Sequence, residues 1–271
     1  MNTETITSAQ NPKIKELLQL QDKSRIRRKK NLFVVEGRRE LGHCIEAGYF
    51  PVTLFVCRDI ISVGDFEKIL DRINTINGRE PKIIEVPAAL YARIAYREGT
   101  EGIIAEIEYK ENNLEDIALA DNPLVVVLES VEKPGNLGAV LRSADAANAD
   151  AVIVCDPLTD LFNPNLIRSS IGAVFTTPTV ATTSQEAIRW LKQNNIQILT
   201  AQLQDSVAYY DSDMRKGTAI VMGTESTGLT DIWRKNADRH IRIPMLGKLD
   251  SLNVSVSASI LMFEAVRQRN S

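Results

Sequence analysis

At 271 residues the chain has room for one or two buried cores but not for three average domains. Its 44% apolar and 25% charged residues are ordinary for a globular protein, and a net charge of -3 excludes a general basic coat. Three cysteines with no CxxC pair and two widely separated histidines, His43 and His240, exclude a disulfide framework and a zinc cluster. The N-terminus is polar, and no apolar run reaches membrane-spanning length. The expectation is a soluble cytoplasmic protein with Cys44, Cys57 and Cys155 as reduced core thiols.

The average charge hides a local bias. Residues 1–40 hold ten Lys/Arg against five Asp/Glu, and six of the ten lie between Lys23 and Lys30. Such a run suits phosphate contacts, although a lone basic run is more often a solvated helix face.

Asn11-Pro12 opens the first helix, with Asn as cap and Pro at the first position, and Ile14, Leu17 and Leu18 give it an apolar stripe. After the basic run, Leu32–Glu36 reads as a buried strand closed by a turn at Gly37. Residues 38–47 read as helix, Val52–Cys57 as strand, Phe66–Ile73 as helix and Lys82–Val86 as strand. A short helix over Ala88–Ile94 and a strand over Gly102–Ile107 complete a small α/β domain at 1–108. Residues 109–122 are polar and turn-rich and read as a linker.

Residues 123–271 alternate again. Val125–Leu128 is a continuous apolar run, the mark of a strand covered on both faces. The helix Leu137–Ala147 follows and stops at Asn148, a residue that tolerates the left-handed region. Ala151–Cys155 is the next strand, and Ser184 caps a helix through Lys192. Ile196–Thr200, Ala219–Met222 and His240–Ile243 are further strands. Asn253 or Ser251 starts a C-terminal helix with Val254, Ala258, Leu261, Met262 and Ala265 on one side. Strands alternating with helices predict a mostly parallel sheet with helices on both faces.

Three polar loops follow predicted strands, where open α/β sheets gather ligands. The first is Lys133-Pro-Gly-Asn-Leu-Gly138, with Asn136 ahead of the helix and Arg142 in its second turn. The second is Gly223-Thr-Glu-Ser-Thr-Gly228. The third runs from Ile243 to Ser255. Each alone has an ordinary reading: Asn136 as a helix cap, Arg142 as a surface ion pair, Glu225 as a capping carboxylate, Ser251 to Asn253 as a helix start. Neither G-x-G-x-x-G nor G-x-x-x-x-G-K-[ST] is present, which argues against a nucleotide-binding oxidoreductase.

Taken together, Lys133–Asp145, Met222–Leu229, Ile243-Pro-Met245 and Ser251–Val256 resemble the SpoU-type (TrmH-like) RNA ribose 2′-O-methyltransferases of the SPOUT superfamily. Ser170–Val174 fits as well. Thr7–Lys15 and Phe33–Gly37 resemble that family's N-terminal RNA-binding domain. Glu129 departs from the aspartate common at its position, and Lys133 from the acid common at its own. The resemblance implies an α/β fold with a trefoil knot in the second domain, a homodimer, and S-adenosylmethionine (SAM) as methyl donor. It implies that Gly223, Ile243 and Leu252 line the donor. It implies a catalytic role for Arg142, with Asn136, Glu225, Ser251 and Asn253 ordering the loops and meeting the target nucleotide. Arg142 is a poor general base, because a guanidinium pKa exceeds about 12, so gripping a phosphate and steadying the developing alkoxide is the chemically preferred role. Ribosomal RNA is the expected substrate, its backbone held by Lys23, Arg25, Arg27, Arg28, Lys29 and Lys30. The competing expectation is a non-catalytic RNA-binding or ribosome-assembly module on the same fold.

Overall fold

The computed structural model of the protein describes residues 3–96, 101–224, 227–248 and 251–271. It divides into two compact units, Met1–Glu111 with Phe162–Thr176, and Asn112–Leu161 with Thr177–Ser271.

The first unit opens with β1 (Thr3–Thr5), α1 (Pro12–Asp22), α2 (Ser24–Lys30), β2 (Leu32–Glu36) and α3 (Arg38–Glu46). It continues with β3 (Pro51–Val56), α4 (Val63–Asn77), β4 (Lys82–Glu85), α5 (Ala88–Ile94) and β5 (Ile103–Glu108). Asn11 caps α1 as its sequence predicts, its side chain accepting from the Lys13 N–H at 2.9 Å with Pro12 as first helical residue. The sheet order is β1-β4-β3-β5-β2, and β5 runs antiparallel to both neighbours. Ile14, Leu17 and Leu20 of α1 and Leu90, Tyr91 and Ile94 of α5 bury one sheet face in a single apolar cluster.

The second unit begins with a 3-10 turn at Leu114–Asp116, then β6 (Leu124–Glu129), α6 (Pro134–Ala146) and β7 (Ala151–Cys155). The chain then returns to the first unit for α7 (Pro164–Ser169) and α8 (Ala173–Thr176). Back in the second unit come β8 (Thr179–Thr182), α9 (Ser184–Gln193), β9 (Gln197–Ala201), β10 (Val207–Ala208) and β11 (Thr218–Met222). Next are α10 (Asp231–Asn236), β12 (Arg239–Arg242) and α11 (Val254–Arg269). The seven strands are all parallel, ordered β10-β12-β9-β11-β6-β7-β8. Every residue of β6, β7 and β11 is buried, which is why those strands read as unbroken apolar runs.

Several expected boundaries shift, as where the Phe66–Ile73 helix runs Val63–Asn77, and two bear on the second unit's loops. α6 starts at Pro134 with Lys133 as cap, so Asn136 lies inside the first turn and not ahead of the helix. Pro-Gly-Asn looks like a loop, but proline at the first helical position loses nothing, because that N–H has no helical partner anyway. At α9 the cap is Thr183, which forms a capping box with Glu186, while Ser184 is buried one residue further on.

Phe162–Thr176, far along the chain, adds aromatic packing to the first unit. Phe162 stacks on Phe33 with centroids 4.2 Å apart, and Phe175 and Tyr49 meet edge to face at 5.5 Å. The Ser170–Val174 motif is part of this packing. Ser170 is 1% exposed, and a Cβ on Gly172 (φ +83°) would come within 3.1 Å of the His43 ring. All three cysteines are free and buried, and burial pushes the Cys44 thiol well above its usual range. Among the described residues no helix is long and apolar enough to cross a membrane, and no group of His, Cys, Asp or Glu is arranged to hold a metal.

Candidate functional site

In a parallel sheet every strand ends on the same rim, so the turns after β6, β9, β11 and β12 share one edge of the second unit. The turns after β9, β11 and β12, with the start of α11, enclose a cleft of ≈ 370 Å³, within the roughly 300–1,000 Å³ usual for small-molecule sites. Gly223, Ile243, Ser251 and Leu252, all expected from sequence, line it. A second hollow of ≈ 130 Å³ adjoins it through Gly223, Thr224 and Val254 and is lined further by Glu132, Lys133 and Asn136.

The loop after β11 is held closed by its own backbone. Thr224 and Gly228 form a β-bridge, with the Gly228 N–H donating to the Thr224 carbonyl at 3.0 Å. A Cβ on Gly223 would fall 2.3 Å from the Gly228 carbonyl and 2.5 Å from the Leu229 nitrogen. Glycine is therefore required at 223 by the return of the loop itself, before any ligand is considered.

The far end of this loop is tied to β6. Glu129 is 3% exposed and accepts from the Thr230 N–H at 2.8 Å and the Thr230 hydroxyl at 2.5 Å. Ser184 lies 3.3 Å from the same carboxylate, but its single proton goes to Asp156 at 2.6 Å. The Ser184 oxygen accepts in turn from the Trp233 indole N–H at 2.9 Å. Glu129, marked from sequence only as a departure, is thus the anchor of the loop bearing Gly223.

The first and third loops meet directly. The Asn253 side-chain amide donates to Asn136 Oδ1 at 3.1 Å, and Asn253 Oδ1 caps α11 by accepting from the Ser255 N–H at 2.9 Å. Farther along, the Ser143 and Ser259 hydroxyls bond at 2.7 Å. Both pairs advance in the same sense, so α6 and α11 run parallel with their N-termini together beside the smaller hollow. Two aligned helix dipoles there favour an anion.

Arg142 is exposed on α6 and lines neither cavity. About 9 Å of helix axis separates it from Asn136. Glu225 lies outside the described residues. Lys23, Arg25, Arg28, Lys29 and Lys30 are exposed on or beside α2, and Lys30 also pairs with Glu16 at 3.0 Å. Arg27 departs from the expected surface. It is 2% exposed, and its guanidinium donates to the Leu20 carbonyl at 2.6 Å and the Gln21 carbonyl at 3.2 Å, closing the end of α1. It is a structural arginine and not part of the basic surface.

Sequence reading missed Gln202, Gln204, Arg234 and Arg242 in the larger cleft. The turn after β9 carries no glycine motif, and only its place at the carboxyl end of a parallel strand marks it. Arg234 and Arg242 are the formal charges among the described lining residues.

Residues 123–263 match the SpoU rRNA Methylase family, and residues 11–105 match the MRM3-like substrate binding domain. The chain is 41% identical over 175 residues to the 23S rRNA (guanosine-2′-O-)-methyltransferase RlmB of Salmonella typhi, covering 62% of this chain and 72% of that one. Its fold is similar to the crystal structure of an RNA 2′-O ribose methyltransferase, with a TM-score of 0.81 and 36% identity over 98% of this chain and 100% of the other. It is also similar to the AdoMet-bound rRNA methyltransferase from Sinorhizobium meliloti, with a TM-score of 0.88 and 28% identity over 98% of each chain.

Proposed function

The chain belongs to the SpoU rRNA Methylase family, and from that premise we propose that it transfers the methyl group of SAM to a ribose 2′-hydroxyl of ribosomal RNA. The observation that carries this reading is the cleft beside Gly223, built by loops that leave one rim of the parallel sheet. Methionine, leucine, isoleucine and valine side chains in it suit the donor's apolar surfaces. Arg234 and Arg242 suit its carboxylate.

SAM supplies an electrophilic methyl on a sulfonium whose departing sulfide is neutral. What remains for the protein is alignment, worth roughly 7–11 kcal/mol in favourable cases, and handling of the hydroxyl proton. Gly223, Ile243 and Leu252 hold the donor. Asn136 and Asn253, bonded to each other, fix the edge of the smaller hollow, where the two helix N-termini suit an RNA phosphate. Arg142 grips the neighbouring phosphate and steadies the alkoxide as it forms, and the proton leaves to that phosphate or to water. Because Arg142 lines neither cavity, the RNA must bring its ribose to the exposed side of α6. Glu225 and Ser251 order the target nucleotide.

We further assign residues 1–108 to RNA binding and 123–271, apart from the Phe162–Thr176 segment that packs in the first unit, to methyl transfer, with 109–122 joining them although Leu114 is buried in the second unit's core, and with the chain of the second unit threaded as a trefoil knot. A homodimer is supported by a stripe on α11 where Val256 and Phe263 are each 47% exposed, and a cytoplasmic location by three free thiols.

The test is methyl transfer from labelled SAM to ribosomal RNA by Arg142→Ala. We expect a loss of about 10²-fold or more in rate with SAM affinity unchanged in calorimetry. Equal rates would remove Arg142 from the mechanism, and no SAM binding at millimolar concentration would return the chain to a non-catalytic RNA-binding module.

A further inference from the structure

The sheet of the first unit has a concavity that methyl transfer does not use. The register places Lys82, Thr53 and Glu106 directly opposite one another across β4, β3 and β5. One step along the same face stand Ile84, Phe55 and Ile104, inside the apolar cluster under α1 and α5. The first turns of α1, with Lys13 and Glu16, border the uncovered end, and the row opens into a groove of ≈ 470 Å³.

Glu106 is only 7% exposed, yet it lines this groove. Burial is the main influence on its carboxyl and pushes it up to about 7; a hydrogen bond from Thr53 opposes this, Glu16 adds to it, and Lys30 and Lys82 oppose it. A carboxylate offers about four acceptor positions, so one hydroxyl leaves capacity for a ligand. An apolar residue would serve the sheet better, because burying a charge costs stability unless something pairs with it. The groove wall includes Phe50, whose ring carries the Arg79 guanidinium 4.0 Å from its centroid. That guanidinium also donates to Glu108 at 2.8 Å, a contact in its own plane, and a guanidinium plane is a surface of the kind on which RNA bases stack. Lys82 places a cation at the rim for a flanking phosphate, and Lys13, ion-paired with Glu4, places a second beside it.

We propose that this groove holds a guanine base of the bound RNA, with Glu106 accepting hydrogen bonds from the guanine N1–H and N2 amino group. The proposal rests on the RNA-binding reading of the first unit. An ionised carboxylate only accepts, and guanine is the base with two adjacent donors on its Watson–Crick edge. In adenine and cytosine the amino group sits beside a ring-nitrogen acceptor, and in uracil the single N–H lies between two carbonyls.

The experiment is fluorescence anisotropy of the full chain, without methyl donor, on two short uridine-flanked oligoribonucleotides. One carries a single guanosine and the other inosine, which lacks the N2 amino group. Wild type should prefer guanosine by about tenfold. Glu106→Gln should abolish the preference, and Lys82→Ala should weaken both RNAs while keeping it. If Glu106→Gln does not fold, the wild type decides: its preference should shrink as pH falls from about 8 to about 6 and Glu106 takes up a proton. The charged groups facing Glu106 in that titration are Glu16 and Lys13 of α1, Lys30 of α2, Lys82 of β4, and Arg79 and Glu80 just before β4. Equal binding of the two RNAs by wild type at the higher pH, or an undiminished preference in Glu106→Gln, would overturn the assignment. So would displacement of the RNA by micromolar GMP, which would make the ligand a free nucleotide. Methyl transfer that continues with no base preference would sink this pocket alone, whereas failure to bind either RNA would sink the RNA-binding reading of the unit with it.

Discussion

Each sheet carries a carboxylate less than a tenth exposed, Glu129 on β6 and Glu106 on β5, in opposite surroundings. Glu129 ends a strand of the parallel sheet and is bonded by a backbone N–H and a hydroxyl from one residue, Thr230, one donor to each oxygen. Glu106 lies on the mixed sheet with Thr53 as its side-chain donor and an open groove in front of it. The difference separates two uses of a costly group. A carboxylate whose acceptor positions are occupied by donors from a distant loop fixes that loop, and the desolvation it suffers is offset inside the fold. One whose acceptor positions face a groove, with Thr53 and the nearby lysines offsetting part of the cost, is offset further when a donor enters. The second unit thus commits its buried acid to the shape of the cleft, and the first keeps its own available.

The sharpest way to break this contrast is to remove Glu129. Glu129→Ala leaves the Thr230 N–H and hydroxyl without their acceptor at a buried site, a cost of about 3 kcal/mol. The expected result is a lowered Tm together with weaker SAM binding, since the loop between Gly223 and Thr230 loses its far anchor. A variant that melts lower but binds SAM as tightly as wild type would show that the β-bridge between Thr224 and Gly228 holds the cleft unaided.

Glu106 should respond with the opposite sign. Its folded-state pKa is raised from 4.5 to about 7, so the folded chain keeps a proton that the unfolded chain releases. Below about pH 4.5 both states are protonated and the group has no effect on stability. Stability falls as pH rises from there to about 7, and above 7 the full cost, about 3 kcal/mol at most, is present. Glu106→Gln should therefore melt higher than wild type at pH 8, with the gain vanishing near pH 5. Thermal denaturation across that range checks it, and a pH-independent difference would mean that the carboxylate is solvated in the groove and not held at a cost.

The sequence made this contrast visible only in part, for a physical reason. Elements set by neighbours a few residues away were legible: the Asn11-Pro12 start of α1, the buried run of β6, the Asn253 cap of α11. The loops holding Gly223 and Ile243 were legible because strand ends in a parallel sheet mark ligand sites. What depended on distant partners was not. Nothing near Glu129 announces Thr230, and nothing near Glu106 announces that Thr53 and Lys82 stand beside it in register. The Phe162–Thr176 segment gives no local sign that its aromatic rings join Phe33 and Tyr49, more than a hundred residues earlier in the chain. Arg27 has the composition of its basic neighbours, and its inward turn is fixed by where α1 ends.

That inward turn yields the smallest predicted effect and the cleanest. If α2 carries the phosphate-binding cations, its exposed ones and its buried one must behave differently under salt. Neutralising Arg28 and Lys29 together should leave the Tm near that of wild type, because both side chains project into solvent. It should reduce the slope of log Kd for single-stranded RNA against log salt by about 0.7 for each phosphate that is no longer neutralised. Arg27→Ala removes no exposed charge. It leaves the Leu20 and Gln21 carbonyls without their donor at the α1–α2 junction, which should lower the Tm and disturb the salt slope less. Titrations of one RNA at several salt concentrations separate the two. A flatter slope in Arg27→Ala than in the double variant would show that the phosphates are gripped elsewhere in the first unit. The rim of the Glu106 groove, with Lys13 and Lys82, would then be the place to look.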